Sequence, residues 1–269
     1  MRSVRALLAL IRWPNALLAA AGVLVGAWWG GGDPTAAAVL LTAGAAIALT
    51  AVANAENDYR DRAIDATAHP GRPLPSGALR PRTARIVVAV AAIAAIGLAL
   101  AVSAAMALAT TAVVGAMIAY SPLLKPLGLP GNITVAVIAS LPFVYGAWAV
   151  GTPSAALPLF TIAVPLHFAR ELAKDLEDAA ADAPSRRTLP VARGAAATRI
   201  ALVAALVPGV VVLTWMIVDR PRLGVLVIPA IVAAALGTRR ALRGRRGAPS
   251  LYKLAMACAM ASLILAHWS

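Results

Sequence analysis

The segment Asn57–Gly77, "NDYRDRAIDATAHPGRPLPSG", follows twenty residues that are mostly Ala, Val, Leu and Ile. It places Asp58, Asp61 and Asp65 close together and follows them with a loop rich in Gly and Pro. Asn57, Asp61 and Asp65 recur every fourth residue. On an α-helix rising about 1.5 Å per residue they form one stripe, stepping about 6 Å per turn. Asn54 and Asp58 border the same face. Like charges at this spacing repel, and ionised groups beside hydrocarbon are costly unless paired or bound to a cation. The stretch therefore predicts a membrane helix that ends in a cation-binding face.

The rest of the chain fits a helical membrane protein. Of 269 residues, 61% are hydrophobic and 13% charged, against about 25% charged in an ordinary soluble domain. Turn signals divide it into nine apolar segments, each near the roughly 20 residues that cross a bilayer: 13–30, 35–57, 83–103, 105–122, 132–150, 155–178, 195–218, 223–240 and 250–268. This predicts an all-α bundle of nine transmembrane helices in one domain, 1–269, with the N-terminal apolar stretch retained as the first span. Of 24 Lys and Arg residues, only Arg220 and Arg222 fall in the loops of one side. The others place the N-terminus and the acid-bearing loops in the cytoplasm, with the protein in the cell membrane. Formal net charge is +13, but the basic residues are scattered over loops between spans. That pattern suits anionic headgroups and an anionic substrate, and excludes nucleic acid as a partner. The single cysteine, Cys258, can form no intrachain disulfide.

Nine of the eleven acidic residues fall in two clusters, Glu56–Asp65 and Glu171–Asp182. In the second, Glu171, Asp175, Asp178 and Asp182 follow intervals of four, three and four, again one helical face. The donors are hard oxygens, which suit Mg²⁺. Mg²⁺ keeps waters and shares its shell with substrate phosphates, so two facing stripes read as a grip on a diphosphate. Arg72, in the proline-stiffened loop, and Lys125, in "YSPLLK", are the expected diphosphate contacts, with Tyr120 beside them. His167, four residues before Glu171, is a candidate to orient a carboxylate or assist an acceptor.

Taken together, these motifs resemble the UbiA superfamily of intramembrane prenyltransferases. The family pattern N-D-x-x-D-x-x-x-D matches Asn57-Asp58-x-x-Asp61-x-x-x-Asp65, and R-P-[IL]-P-S-G matches Arg72–Gly77. D-x-x-x-D matches Asp178 and Asp182, with Asp175 preceding them. The Y-x-P-x-L-K segment and the following G-N match Tyr120–Lys125 and Gly131-Asn132, while an N-terminal R-P-x-N element appears in altered order as "RWPN", ending at Asn15. The resemblance covers residues 12–195.

It implies the UbiA fold, ionisation of a polyprenyl diphosphate with two Mg²⁺ ions, and capture of the allylic cation by a lipophilic acceptor. It also implies catalytic roles for Asp61, Asp65, Asp178 and Asp182, and metal binding by Asn57, Asp58, Asp61, Asp65, Asp175, Asp178 and Asp182. Asn15, Asn54, Tyr145 and His167 are expected to line the substrate or acceptor pocket, with the face of Tyr145 or Tyr120 against the cation. The sequence "RELAKDLEDAAAD" followed by "RTLPV" looks most like the branch using geranylgeranylglyceryl phosphate as acceptor. There Arg186, Arg187 and Arg193 would hold the acceptor's phosphate. An aromatic or quinone-precursor acceptor, and cyclisation of the donor on itself, are the other activities that the resemblance allows.

Overall fold

The computed structural model describes residues 2–182 and 186–268, without the side chains of residues 2, 68, 181, 182, 267 and 268. The described residues form helices joined by turns and loops, with no strand. In chain order the helices are α1 (Arg2–Ile11), α2 (Trp13–Trp29), α3 (Ala37–Ala68), α4 (Pro81–Val102), α5 (Ala104–Ala119), α6 (Leu129–Ala149), α7 (Leu157–Asp182), α8 (Leu189–Asp219), α9 (Pro221–Leu226), α10 (Ile228–Leu242) and α11 (Ala248–Trp268). A π-helical turn, Tyr120–Leu124, and a 3₁₀ turn, Lys125–Leu127, lie between α5 and α6.

Seven helical segments are long and apolar enough to cross a membrane: Ala37–Thr67, Pro81–Val102, Ala104–Leu127, Leu129–Ala149, Pro153–Ala180, Leu189–Asp219 and Ala248–Ala266. The pair Ser3–Ile11 and Trp13–Trp29, bent by 49°, makes an eighth if it is one span. The protein is therefore a multi-pass membrane protein. Outward apolar side chains such as Ile93, Leu108 and Val218, 73%, 74% and 75% exposed, fit a lipid surround. The eighth span, expected over 223–240, is divided. Pro221 opens the short α9, Val227 turns the chain, and Pro229 lies in the first turn of α10, where its missing N–H costs no helical bond. Neither piece has the length of a span.

The helices form two compact units: residues up to Leu123 with Tyr145–Thr152, and Leu124–Val144 with the chain from Pro153 onward. In the first, α3 packs on α1, α2, α4 and α5. Its 32 residues span about 48 Å at 1.5 Å per residue, well beyond a hydrocarbon core of about 30 Å. Its acidic last third thus continues as helix past the apolar part. A cluster of Ala6, Leu10, Ala55, Leu74, Leu79 and Ala84 fixes that end against α1, α4 and the proline loop. At the other end of α3, the Asp33 carboxylate accepts the Thr35 hydroxyl (2.7 Å) and backbone N–H (2.8 Å). Both bonds lower the Asp33 pKa, the hydroxyl the more.

In the second unit α7 packs on α8, α10 and α11. Its core joins Ala169, Leu172 and Ala173 to Leu202, Ala241, Ala248 and Tyr252. Gly194 leaves helical geometry (φ 81°, ψ 165°) just before the apolar run of α8, where the sequence placed the start of a span.

Close approach in the first unit depends on Gly146, in the last turn of α6. A Cβ there would collide with the carbonyl oxygen of Val23 on α2, so only glycine lets the backbones pack this tightly. Gly146→Val should therefore lower the thermal unfolding midpoint of the detergent-solubilised protein by several degrees. Gly97→Val, whose Cβ would meet nothing within 4 Å, should shift it little.

Candidate active site

In the first unit the site begins where α1 ends. Arg12 has a left-handed backbone (φ 52°, ψ 59°), unusual for a residue with a side chain. Two contacts hold it there. Asn54 on α3 donates its Nδ2 to the carbonyl of Ile11 (3.1 Å), and one turn further along α3, Asp58 accepts Arg12 Nη2 at 2.8 Å. Asn54 and Asp58 are i and i+4, so one face of α3 fixes both the kink and the arginine that projects from it.

Arg72 approaches the same carboxylates from the proline loop. Its Nη1 is 2.6 Å from Asp65 Oδ2 and 3.6 Å from Asp58 Oδ1. Asp58 and Asp65 are buried, 3% and 4% exposed, so their charges need these partners. An open pocket of ≈ 410 Å³ is lined by Ala9, Arg12, Asp58, His69, Gly71, Arg72 and Pro73. Asn57 and Asp61 are half-buried on the same helix. Glu56 is not part of this group; it pairs with Arg60 at 2.7 Å.

In the second unit Asp175 is buried and accepts Asn132 Nδ2 at 2.6 Å. Glu171 is buried and takes the Arg170 guanidinium at 2.6 Å. Asp178 is exposed, one turn beyond Asp175. Asp182 closes α7, and its side chain lies outside the described residues. Lys125, half-buried, opens the 3₁₀ turn before α6. His167 is half-buried, its buried Nδ1 lacking a hydrogen-bond partner among the described residues, and Glu171 is already occupied by Arg170.

The structure brings together Arg12, Asn54, Asp58, Asp65 and Arg72 in one unit, and Asn132 with Asp175 in the other. Other candidates take different surroundings. Tyr145 is buried, receives the Thr110 hydroxyl at 3.4 Å and stacks edge-on against Trp148. Asn15 is half-buried with an unpartnered Oδ1. Tyr120 is half-buried at the start of the π-helical turn. Two residues gained roles that the spacing did not disclose. Arg12 was visible only as the first letter of "RWPN", and Asn132 only as part of the G-N match.

Among the described residues no three carboxylate, His or Cys side chains converge as a metal site. That still fits Mg²⁺, which takes one or two carboxylates and completes its shell with water and substrate phosphates. The donor set is entirely hard oxygen.

Comparison with known proteins gives the family and the fold. Residues 17–266 match the UbiA prenyltransferase family. The chain belongs to that family. UbiA-family relatives include a digeranylgeranylglyceryl phosphate synthase of Natronomonas pharaonis, 38% identical over 197 residues, 72% of this chain and 71% of the relative. Another protein so named, from Methanopyrus kandleri, is 34% identical over 245 residues, 86% of this chain and 90% of the relative. The fold is also that of solved UbiA homologues. One from Aeropyrum pernix has a TM-score of 0.81 at 17% identity, covering 95% of this chain and 97% of that one. One from Archaeoglobus fulgidus, bound to GPP and Mg²⁺, has a TM-score of 0.70 at 20% identity, covering 98% of this chain and all 100% of its own.

The Asn132–Asp175 bond generates a prediction. Losing a hydrogen bond to a buried charge typically costs about 1.5–3 kcal/mol. Asn132→Ala should lower the thermal midpoint in detergent, and the loss should largely vanish in an Asp175→Ala background, where the bond is already absent. An equal loss in both backgrounds would show that the two side chains act independently.

Proposed function

We propose that this protein is a Mg²⁺-dependent intramembrane prenyltransferase acting in lipid biosynthesis. It ionises a polyprenyl diphosphate and transfers the prenyl group to the glycerol hydroxyl of geranylgeranylglyceryl phosphate. The observation that carries the acceptor is the 38% and 34% identity to two digeranylgeranylglyceryl phosphate synthases, across more than two thirds of each chain. The metal and the donor class rest on the all-oxygen acid clusters and on Archaeoglobus fulgidus homologues bound to DMAPP or GPP with Mg²⁺.

In this reading both units serve one reaction, in one domain facing the cytoplasm of the cell membrane. Asn57, Asp58, Asp61 and Asp65, with Asp175, Asp178 and Asp182, hold two Mg²⁺ ions. When bound, these ions stabilise the negative charge that grows on the leaving diphosphate. Arg72, Lys125 and Tyr120 bind the diphosphate oxygens, and Arg12 joins them from the pocket that it shares with Arg72. The bond between the allylic carbon and the diphosphate oxygen breaks, and its electron pair leaves with the diphosphate. The acceptor's hydroxyl oxygen then forms the new carbon–oxygen bond and loses its proton. The apolar helices keep water from quenching the cation first. Asn132 and Asn54 position the machinery, through Asp175 and through the Arg12 kink. Asn15, Tyr145 and His167 remain the proposed lining of the apolar and acceptor pocket.

The test is product analysis with purified protein, Mg²⁺ and geranylgeranyl diphosphate. Diphosphate release should require geranylgeranylglyceryl phosphate and yield the doubly prenylated ether. Release from donor alone, giving a terpene hydrocarbon or alcohol at a rate that no acceptor raises, would overturn the transferase reading. Release that needs an aromatic acid or quinol instead would overturn the acceptor. Asp61→Ala and Asp178→Ala, each folded by its thermal midpoint, should lower turnover by orders of magnitude at saturating donor.

A further inference from the structure

Five arginines, Arg239, Arg240, Arg243, Arg245 and Arg246, fall within eight residues at the end of α10 and in the turn leading to α11, and all are exposed. No part of the proposed chemistry uses them. Several arginines of the chain do meet carboxylates: Arg12 with Asp58, Arg60 with Glu56, Arg72 with Asp65 and Arg170 with Glu171. These five have no carboxylate partner among the described residues. The nearby acid, Glu177 on α7, is already engaged. Its Oε1 accepts the backbone N–H groups of Gly247 (2.9 Å) and Ala248 (3.1 Å), and so caps the first turn of α11.

The turn is also rigidly built. The N–H of Arg245 bonds the carbonyl of Arg240 (2.9 Å), and that of Gly244 bonds the carbonyl of Ala241 (3.1 Å). With Gly244 left-handed (φ 61°), this is a Schellman closure of α10, which a residue with a Cβ would strain. Arg240 Nη1 reaches across the turn to the carbonyl of Arg246 (3.3 Å). Arg243, Arg245 and Arg246 are therefore presented from a fixed loop. Leu236, Leu242 and Leu254, 44%, 43% and 51% exposed, flank it. Exposed leucines beside arginines suit the boundary between acyl chains and headgroups, where a soluble polyanion would meet an apolar surround.

We propose that the α10–α11 turn binds the phosphate groups of anionic phospholipids, with Arg243, Arg245 and Arg246 as its principal contacts. Guanidinium groups form paired hydrogen bonds with phosphate oxygens, and a basic side chain near an anionic membrane surface strengthens binding about fivefold. The surface would tie the second unit's acid-bearing helix, through Glu177, to the headgroup layer.

The experiment is native mass spectrometry of the whole protein released from nanodiscs that mix phosphatidylglycerol with phosphatidylcholine. The wild type should retain phosphatidylglycerol selectively, and less so as salt rises. The R243Q/R245Q/R246Q variant should bind it roughly 100-fold more weakly. R243K/R245K/R246K, which keeps the charges but not the paired guanidinium contacts, should fall between the wild type and the glutamine variant. R80Q/R82Q/R85Q, which removes three exposed arginines elsewhere, should retain selectivity. An equal loss in this last variant would mean diffuse charge rather than a site, and would overturn the proposal. So would displacement of the lipid by inorganic phosphate at equal concentration, or tighter binding of a short RNA than of phosphatidylglycerol at this turn. If R243Q/R245Q/R246Q fails to fold, R246Q and R243Q tested singly should each weaken binding about fivefold, and no change in either would also overturn it.

Discussion

The burial of Asp58 and Asp65 constrains everything around them in the first unit. A carboxylate removed from water must be neutralised, ligated or protonated, and here two arginines from different parts of the chain meet that demand. Arg12 comes from a backbone kink that only its contacts stabilise. Arg72 comes from a loop that three prolines and a small apolar cluster hold in shape. Remove the carboxylates and neither arginine has reason to stand there. Remove the arginines and two buried charges are left without partners, a change that typically costs several kcal/mol. A pocket with both signs of charge at its wall is what a metal–diphosphate substrate needs, because its cations and its oxygens require opposite partners.

The second unit meets the same demand by other means. Asp175 is buried and accepts a hydrogen bond from the Asn132 amide. Glu171 is neutralised by its neighbour Arg170. Asp178 lies in the open. Along one helical face the chain thus passes from a paired acid to a hydrogen-bonded one to an exposed one. Metal ligation is most accessible to the last of these, which is already open to solvent. Glu177, on another face, caps α11, which gives the C-terminal helices a connection to this cluster.

Much of this was legible in the sequence. The stripes needed only a four-residue period, and α3 and α7 are helical through both of them. The break at Gly194 falls just before the span expected from 195, and the turn at Asp33 falls between the first two expected spans. What was not legible was pairing across distance. Nothing in the local sequence links Asn54 to Ile11, Asn132 to Asp175, or Glu177 to Gly247, because those bonds depend on tertiary packing. The left-handed backbone of Arg12 was equally hidden, since arginine carries no preference for it. The expected span over 223–240 was apolar enough, but prolines at 221 and 229 and the turn at Val227 divide it. Hydropathy averages over such breaks.

If the buried acids of α3 serve a metal-bound diphosphate rather than only Arg12 and Arg72, prenyl diphosphate binding depends on both Mg²⁺ and Asp65. Isothermal titration of the detergent-solubilised protein with a non-hydrolysable prenyl diphosphate analogue tests it directly, with and without Mg²⁺, in wild type and in Asp65→Asn. The account predicts binding that requires Mg²⁺ and falls at least tenfold in the variant. Equal affinity in the presence and absence of Mg²⁺, unchanged by Asp65→Asn, would contradict it.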